Sequence, residues 1–224
     1  MYKNLRITVV IPCLNEEEGV RRVLQDLPSF VDEVIVVDNG STDRTASVAE
    51  SMGAIVVSEL SRGYGRAYKS GFSRATGDII VTLDGDHSYP ADALSYLLEA
   101  FMHCRVGFLS ASRLPTLSDD AMSMKHKVGN RLLSFVMSVL FMRWVNDSQS
   151  GMWIFRRDVL DKMRLTSNGM AFSQEIKIEA IVNKEIGFRE MFINYSQRVG
   201  EIKLQPWRDG FKNIVFLFRK RLGI

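Results

Sequence analysis

Two short runs constrain the fold of this chain more than anything else in it: "VIVVD" at 34–38 and "DIIVTLD" at 78–84. A strand with one wet face alternates apolar and polar residues, whereas these are apolar at successive positions, so both faces are buried. Strands of that kind belong to parallel sheets covered by helices on each side. The spacing predicts strands at 6–11, 33–38, 54–59 and 78–83, with helices at 16–27, 42–52, 64–75 and 91–101 between and after them. Ser41 or Thr42 is expected to cap the second helix and Gly53 to end it. This is a βαβ series, hence an α/β fold with a mostly parallel sheet flanked by helices. The alternation loosens after a strand at 106–111. Helices are then expected at 121–144, 173–184 and from 207 onward, and short strands at 152–155 and 188–193.

Composition adds exclusions. With 224 residues, 46% hydrophobic and 25% charged, the chain can bury a full core in one domain. Its net charge of +3 argues for no nucleic-acid partner, yet from Arg198 to the end seven Lys/Arg face two Asp/Glu. A basic, aromatic-rich end points to an anionic surface. Cys13 and Cys104 suggest neither a disulfide framework nor a thiolate metal site, and a reducing compartment is expected. The first residues lack the apolar core of a signal peptide. The longest nearly apolar run, "LLSFVMSVLFM" at 132–142, falls short of the ~20 residues that cross a bilayer.

In open α/β sheets, ligands collect at the carboxyl ends of the strands. Asp84-Gly85-Asp86 follows the fourth strand. Carboxylates spaced i, i+2 around a glycine can turn toward a common point, and their repulsion calls for a cation or strong donors. Mg²⁺ or Mn²⁺ is the natural guest, and such an ion shares protein carboxylates with phosphates, which implies a diphosphate ligand. A solvated Asp-Gly turn is the plainer alternative. Asp38 ends the second strand, where its carboxylate can accept from a base N–H or ribose hydroxyls. The loop "SRGYGRAYKSG" at 61–71 fails the phosphate-loop pattern, because Tyr68 stands where a glycine is required before Lys69. A glycine-permitted turn near phosphates, with Arg62, Arg66 or Lys69 close by, stays open.

Six segments in order, "VVIPCLNEEEG", "VVDNGSTDRT", "GYGRAYKSGF…GDIIVTLDGDHSYP", "ASR", "NDSQSGMWIF" and "RVGEIKLQPWRDG", resemble the family 2 glycosyltransferases of GT-A fold, which is Rossmann-like, and especially their dolichyl-phosphate mannose synthase-like branch. The resemblance covers nearly the whole chain. It implies that Pro12, Asn15, Glu16 and Asp38 line a nucleoside pocket and that Asp84 and Asp86 hold the metal, with Ser88 as a further polar neighbour. It implies that Arg113, Arg131, Arg198 and Lys203 surround the phosphates of donor and acceptor. Asn39 departs from the family, where a second Asp is common, and so does Glu201-Ile202 before Lys203. The expected partition is a GT-A domain over 1–205, with a nucleotide-sugar half (1–112) and an acceptor half (113–205), followed by an amphipathic interfacial helix (206–224).

Sugar transfer requires a neutralised leaving diphosphate, which a metal and Arg/Lys supply. A phosphate monoester acceptor, with a second pKa near ~6, is already largely dianionic at neutral pH and needs no strong base. The implied activity is therefore inverting transfer of a hexose from a GDP- or UDP-sugar to polyprenyl (dolichyl) phosphate at the cytoplasmic face of a membrane. His87 is then the one histidine to watch, because it adjoins the acid pair. Lys125, Lys127, Arg131, Arg143 and Trp144 flank the apolar run at 132–142, and Trp207, Phe211, Ile214, Val215, Phe218 and Leu222 recur at helical spacing in the tail. Both stretches are expected to lie on a membrane surface, aided by a membrane-anchoring subunit or a homo-oligomer; a core-facing helix is the alternative. A saccharide or other hydroxyl acceptor would need a base, with Asp147 or Glu175 as candidates. A non-catalytic scaffold of the same fold is a further alternative.

Overall fold

The computed structural model describes residues 1–114, 124–200 and 206–223, the side chains of 206–209 excepted. Seven strands, β1 (Ile7–Cys13), β2 (Glu33–Asp38), β3 (Ile55–Ser58), β4 (Ile79–Thr82), β5 (Phe108–Ser112), β6 (Trp153–Arg156) and β7 (Phe188–Phe192), form one sheet ordered β3-β2-β1-β4-β6-β5-β7. Seven α-helices are described: α1 (Glu17–Asp26), α2 (Thr45–Ser51), α3 (Tyr64–Arg74), α4 (Leu94–Cys104), α5 (Met124–Phe141), α6 (Phe172–Val182) and α7 (Pro206–Leu222). All strand neighbours are parallel except those of β6, which runs against both β4 and β5.

The doubly apolar strands do what their composition requires. Ile79 and Val81 of β4 enter one core with Val20 and Val23 of α1, Val48 of α2 and Leu97 and Phe101 of α4. Ile80 enters the other, with Tyr68 and Phe72 of α3, Met137 of α5, Phe172 and Ile176 of α6 and Leu217 of α7. Helices thus cover both faces. The second core is aromatic: Phe155 stacks on Phe108 at 5.5 Å, and Tyr68 packs on Trp153 at 5.0 Å.

Two expectations need correction. Neither Ser41 nor Thr42 caps α2, which starts at Thr45 after Arg44. The Ser41 hydroxyl instead accepts from the Asn15 N–H at 2.9 Å, and the Thr42 N–H donates to Asn15 Oδ1 at 2.7 Å, so these residues stitch two strand exits together. The helix expected from Ala91 opens with a 3₁₀ turn, Ala91–Ala93, before α4.

One lysine fixes the loop that enters β6. Lys177, on α6, is fully buried, and its Nζ donates to the carbonyls of Asp147 at 2.7 Å and Ser150 at 3.0 Å. Burial pulls its ammonium down to about 8 from the ordinary 10.5, against the opposing pull of Asp147 and Glu190. The unfolded chain keeps the proton up to about 10.5, so between these two values the unfolded state binds more protons and this lysine makes stability rise with pH. Neutral Lys177 still has N–H groups for both carbonyls. Chemical denaturation of wild type and Lys177→Met across pH 7.5–10.5 should show a stability difference that grows in favour of wild type with rising pH; parallel profiles would contradict it.

Candidate active site

The chain lays down β1, β2 and β3 toward one edge of the sheet, then crosses so that β4 lands on the other flank of β1. The crevice of such a sheet opens where the strand order reverses, at the carboxyl ends of β1 and β4. Cys13 and Asp38 are paired in register at the ends of β1 and β2, and Asp84-Gly85-Asp86 leaves β4 beside them. Gly85 is required by closeness: a side chain there would run into Cys13 Sγ. Gly19 of α1 likewise leaves no room for a side chain against the Gly85 carbonyl. The two acids are therefore held on a turn pressed between β1 and α1.

They are held differently. Asp86 is buried, and its Oδ1 accepts from the Ser88 N–H at 3.0 Å and the Ser88 hydroxyl at 2.5 Å. Arg198 Nη2 lies 3.4 Å from Asp86 Oδ2 and 3.2 Å from Glu16 Oε1, tying the acid turn to the exit of β1. Arg198 arrives on the segment after β7, which runs across the motif: the Val199 N–H donates to the Asp86 carbonyl at 2.8 Å and that of Ser196 to the Ser88 carbonyl at 3.0 Å. Among the described residues Asp84 receives only neutral donors, the hydroxyls of Tyr64 at 3.1 Å and Tyr68 at 3.4 Å, both to Oδ1. Burial and the Asp86 charge push its carboxyl up to about 7, against the pull of Tyr64, Arg113 and Arg198. Burial pushes both phenols well above their ordinary range, which keeps them protonated donors.

This donor set fits a divalent cation. Mg²⁺ and Mn²⁺ take one or two protein carboxylates and complete their shell with phosphate and water oxygens. Two neighbouring acids, one of them without a cationic partner among the described residues, match that requirement. Among the described residues no group of three or more His, Cys, Asp or Glu could enclose a metal by itself.

Around this centre the expected nucleoside residues gather on the β1–β2 side. Pro12 is half-buried on β1, Asn15 is exposed in left-handed backbone (φ 50°), and Glu16 is buried. Asp38 is half-buried, and its Oδ1 accepts from the Ser41 N–H at 3.1 Å. Asn39 faces elsewhere. Its amide donates to the carbonyls of Glu59 at 2.8 Å and Ser61 at 3.0 Å, and its oxygen accepts from the Gly63 N–H at 2.8 Å. A carboxylate could not donate, so the departure from the family's second Asp fixes the loop before α3.

On the β5 side, Arg113 Nε and Nη2 fork onto Asp147 at 2.8 and 3.0 Å, and the guanidinium lies 5.3 Å from the Tyr195 ring centre. Asp147 also accepts from Asn130 Nδ2 of α5 at 2.7 Å. Burial alone would raise the Asp147 carboxyl, but Arg113, Lys177 and Asn130 outweigh it and hold it well below the usual range. Asp147 is thus no base. Nor is Glu175: fully buried, it accepts from Thr166, from the Ser167 N–H at 2.8 Å and from Lys220 Nζ at 3.1 Å.

Other expectations fare unevenly. Arg131 is exposed on the outer face of α5, while its neighbour Asn130 turns inward to Asp147. Lys203 lies outside the described residues. Arg62 and Arg66 are exposed, and Lys69 donates to Asn168 Oδ1 at 2.5 Å, so the loop at 61–71 brings no cation to the acid pair. His87 turns away, its Nε2 2.6 Å from Asp26 Oδ2. The residues sequence reasoning missed are Tyr64 and Tyr68. Their i, i+4 spacing on a helix expected to approach the strand ends was the available signal.

The chain matches the family model for glycosyl transferase family 2 over residues 8–164. A low-salt glycan biosynthesis hexosyltransferase of Haloferax volcanii is 34% identical over 218 residues, 94% of this chain; the chain spans about half (52%) of that relative's length. A dolichyl-phosphate hexose transferase of the same organism is 31% identical over 207 residues, covering 91% of this chain and 89% of the relative. The crystal structure of glucosyl-3-phosphoglycerate synthase from Mycobacterium tuberculosis, in complex with Mn²⁺, UDP and phosphoglyceric acid, superposes with a TM-score of 0.75 over 99% of this chain and 80% of that one at 22% identity, a likeness of GT-A fold. By fold, family match and relatives, the chain belongs to glycosyl transferase family 2.

Proposed function

We propose that this enzyme transfers a hexose, mannose or glucose, from a GDP- or UDP-sugar to polyprenyl or dolichyl phosphate, with inversion, at the cytoplasmic face of a membrane. The observation that carries the reading is a buried acid centre beside which the two candidate bases, Asp147 and Glu175, are already committed. Asp147 is forked by Arg113, Glu175 is tied to Lys220, and Glu16 is tied to Arg198. An acceptor hydroxyl with a pKa far above neutrality would need a base, and neither Asp147 nor Glu175 is available to it. A phosphate acceptor arrives ionised.

Asp84 and Asp86 would hold Mg²⁺ or Mn²⁺, which when bound supplies positive charge to the leaving diphosphate. Pro12, Asn15, Glu16 and Asp38 would orient the nucleoside, Asp38 by accepting hydrogen bonds from base or ribose. Arg198 stands between the nucleoside side and the acid pair, where it can neutralise phosphate charge. The acceptor oxygen bonds to the anomeric carbon as the bond to the diphosphate breaks, and the nucleoside diphosphate leaves with the electron pair. No proton need move.

Support for a lipid acceptor comes from α5. Val128, Leu132, Phe135, Val139 and Met142 recur at intervals of four and three residues and are all more than half exposed. Lys125, Arg131 and Arg143 flank them, and α7, packed on α5, adds exposed Phe211, Phe218, Lys212 and Arg219. An apolar stripe with basic borders suits the surface of an anionic bilayer. No described helix is long and apolar enough to cross a membrane.

Incubating the full chain with labelled GDP- and UDP-hexoses, Mn²⁺ or Mg²⁺ and dolichyl phosphate should yield labelled lipid with one donor, and Asp86→Ala should cut turnover at least ~100-fold. Metal-dependent nucleotide binding without lipid labelling by any donor would sink the acceptor assignment. The full chain should also co-sediment with vesicles containing phosphatidylserine. Phe135→Glu with Val139→Glu should release it at unchanged melting temperature, whereas undiminished co-sedimentation of that variant would remove α5 from the membrane contact.

A further inference from the structure

Among the described residues, the buried acids around the site are paired with Arg or Lys except one. Asp147 has Arg113, and Asp86 and Glu16 share Arg198. Among the described residues no cation pairs with Asp84, whose partners are two phenols. A phenol satisfies a lone pair without cancelling the charge, so Asp84 keeps its attraction for a cation from outside the protein.

The placement of those phenols is built. The backbone entering α3 is anchored on one side by Asn39, which accepts from the Gly63 N–H, and on the other by the Asn168 carbonyl, which accepts from the Gly65 N–H at 3.1 Å. The Tyr64 ring meets Tyr68 edge-on at 4.9 Å, and the fully buried Tyr68 stacks on Phe172 at 5.9 Å. Both hydroxyls converge on Oδ1 and leave Oδ2 outside the pair. Gly151, at the entrance to β6, leaves the space they need: a side chain there would collide with the Tyr64 hydroxyl and press on both Asp84 oxygens at 3.0 and 3.2 Å.

We propose that Tyr64 is a positioning residue for the catalytic cation, its hydroxyl fixing Asp84 so that Oδ2 is the oxygen offered to the metal, with Gly151 keeping that hydroxyl in place. The inference rests on the reading that Asp84 and Asp86 hold the metal. Partners of this kind commonly change metal affinity by 10–100-fold when removed. Tyr68, at the longer distance and engaged also with the Gly151 carbonyl at 3.3 Å, is the lesser contributor.

The test titrates Mn²⁺ into the full chain saturated with UDP or GDP, reading free Mn²⁺ by electron paramagnetic resonance, alongside the Mn²⁺ activation constant of transfer. Tyr64→Phe should weaken Mn²⁺ binding about tenfold and raise the activation constant in proportion, with acceptor KM and melting temperature unchanged. Tyr68→Phe should weaken it less. Gly151→Ala, which keeps the phenol but displaces it, should reproduce the loss and carries the test should Tyr64→Phe fail to fold. Mn²⁺ affinity within about twofold of wild type in the folded variants would overturn the proposal. A wild-type chain that binds no Mn²⁺ at all would instead overturn the metal reading beneath it.

Discussion

The second half of the molecule is organised around the carboxylate of Asp147. Its oxygens accept from Arg113 at the end of β5, from Asn130 of α5 and from the Gln149 N–H; its carbonyl accepts from Lys177 of α6, and its own N–H donates to Glu190 of β7 at 3.1 Å. One residue thus joins two strands, two helices and the loop that carries Gly151. A buried ion pair is seldom a net gain against an apolar core, but removing one partner strands the other at a cost of about 3–5 kcal/mol. Here the pairing supplies specificity of place. Arg113 is held under Tyr195, Tyr195 packs on Tyr89 at 5.3 Å, and the Tyr89 hydroxyl accepts from the Gly151 N–H at 2.7 Å. The position of the loop beside Asp84 follows from that chain of contacts.

How much of this was legible beforehand depended on the range of the physics involved. β2 and β4 were readable because burial on both faces leaves a local composition signal, and their ends fell where the apolar runs stop. The acid pair was readable because one glycine and two acids after such a strand form a local motif. Arg198 was recognisable only by resemblance, since its partner Glu16 lies 182 residues away in the chain. Ser41 and Thr42 read as caps because capping is the local use of those residues, and the competing long-range use, holding Asn15, leaves no local trace. Asn39 read only as a departure from the family's second Asp, and its use as a pin between loops depends on partners 20 or more residues away.

The helix α5 shows the same limit in another form. Its apolar run predicts a helix, but periodicity alone does not separate two apolar faces. The structure does: Leu133 and Met137 turn into the core, while Leu132, Phe135 and Val139 turn out. Arg131 goes outward with them because Asn130 takes the inward position needed by Asp147. Which member of an adjacent polar pair reaches the interior was decided by a partner 17 residues farther along the chain.

The reversed direction of β6 has its own consequence. Six strands deliver their exits to the end of the sheet that carries the acid pair, whereas β6 delivers its entrance, so the segment 147–151 descends into the same crevice from which β4 emerges. The crevice is therefore bounded by two chain directions, and its two walls hang from different parts of the sequence: the exits of β1, β2 and β4 on one side, the entrance to β6 and the exits of β5 and β7 on the other. A fold wired in this way grips the acid turn of one wall from the other, because the segment after β7 hydrogen-bonds Asp86 and Ser88 while Gly151, at the entrance to β6, abuts Asp84.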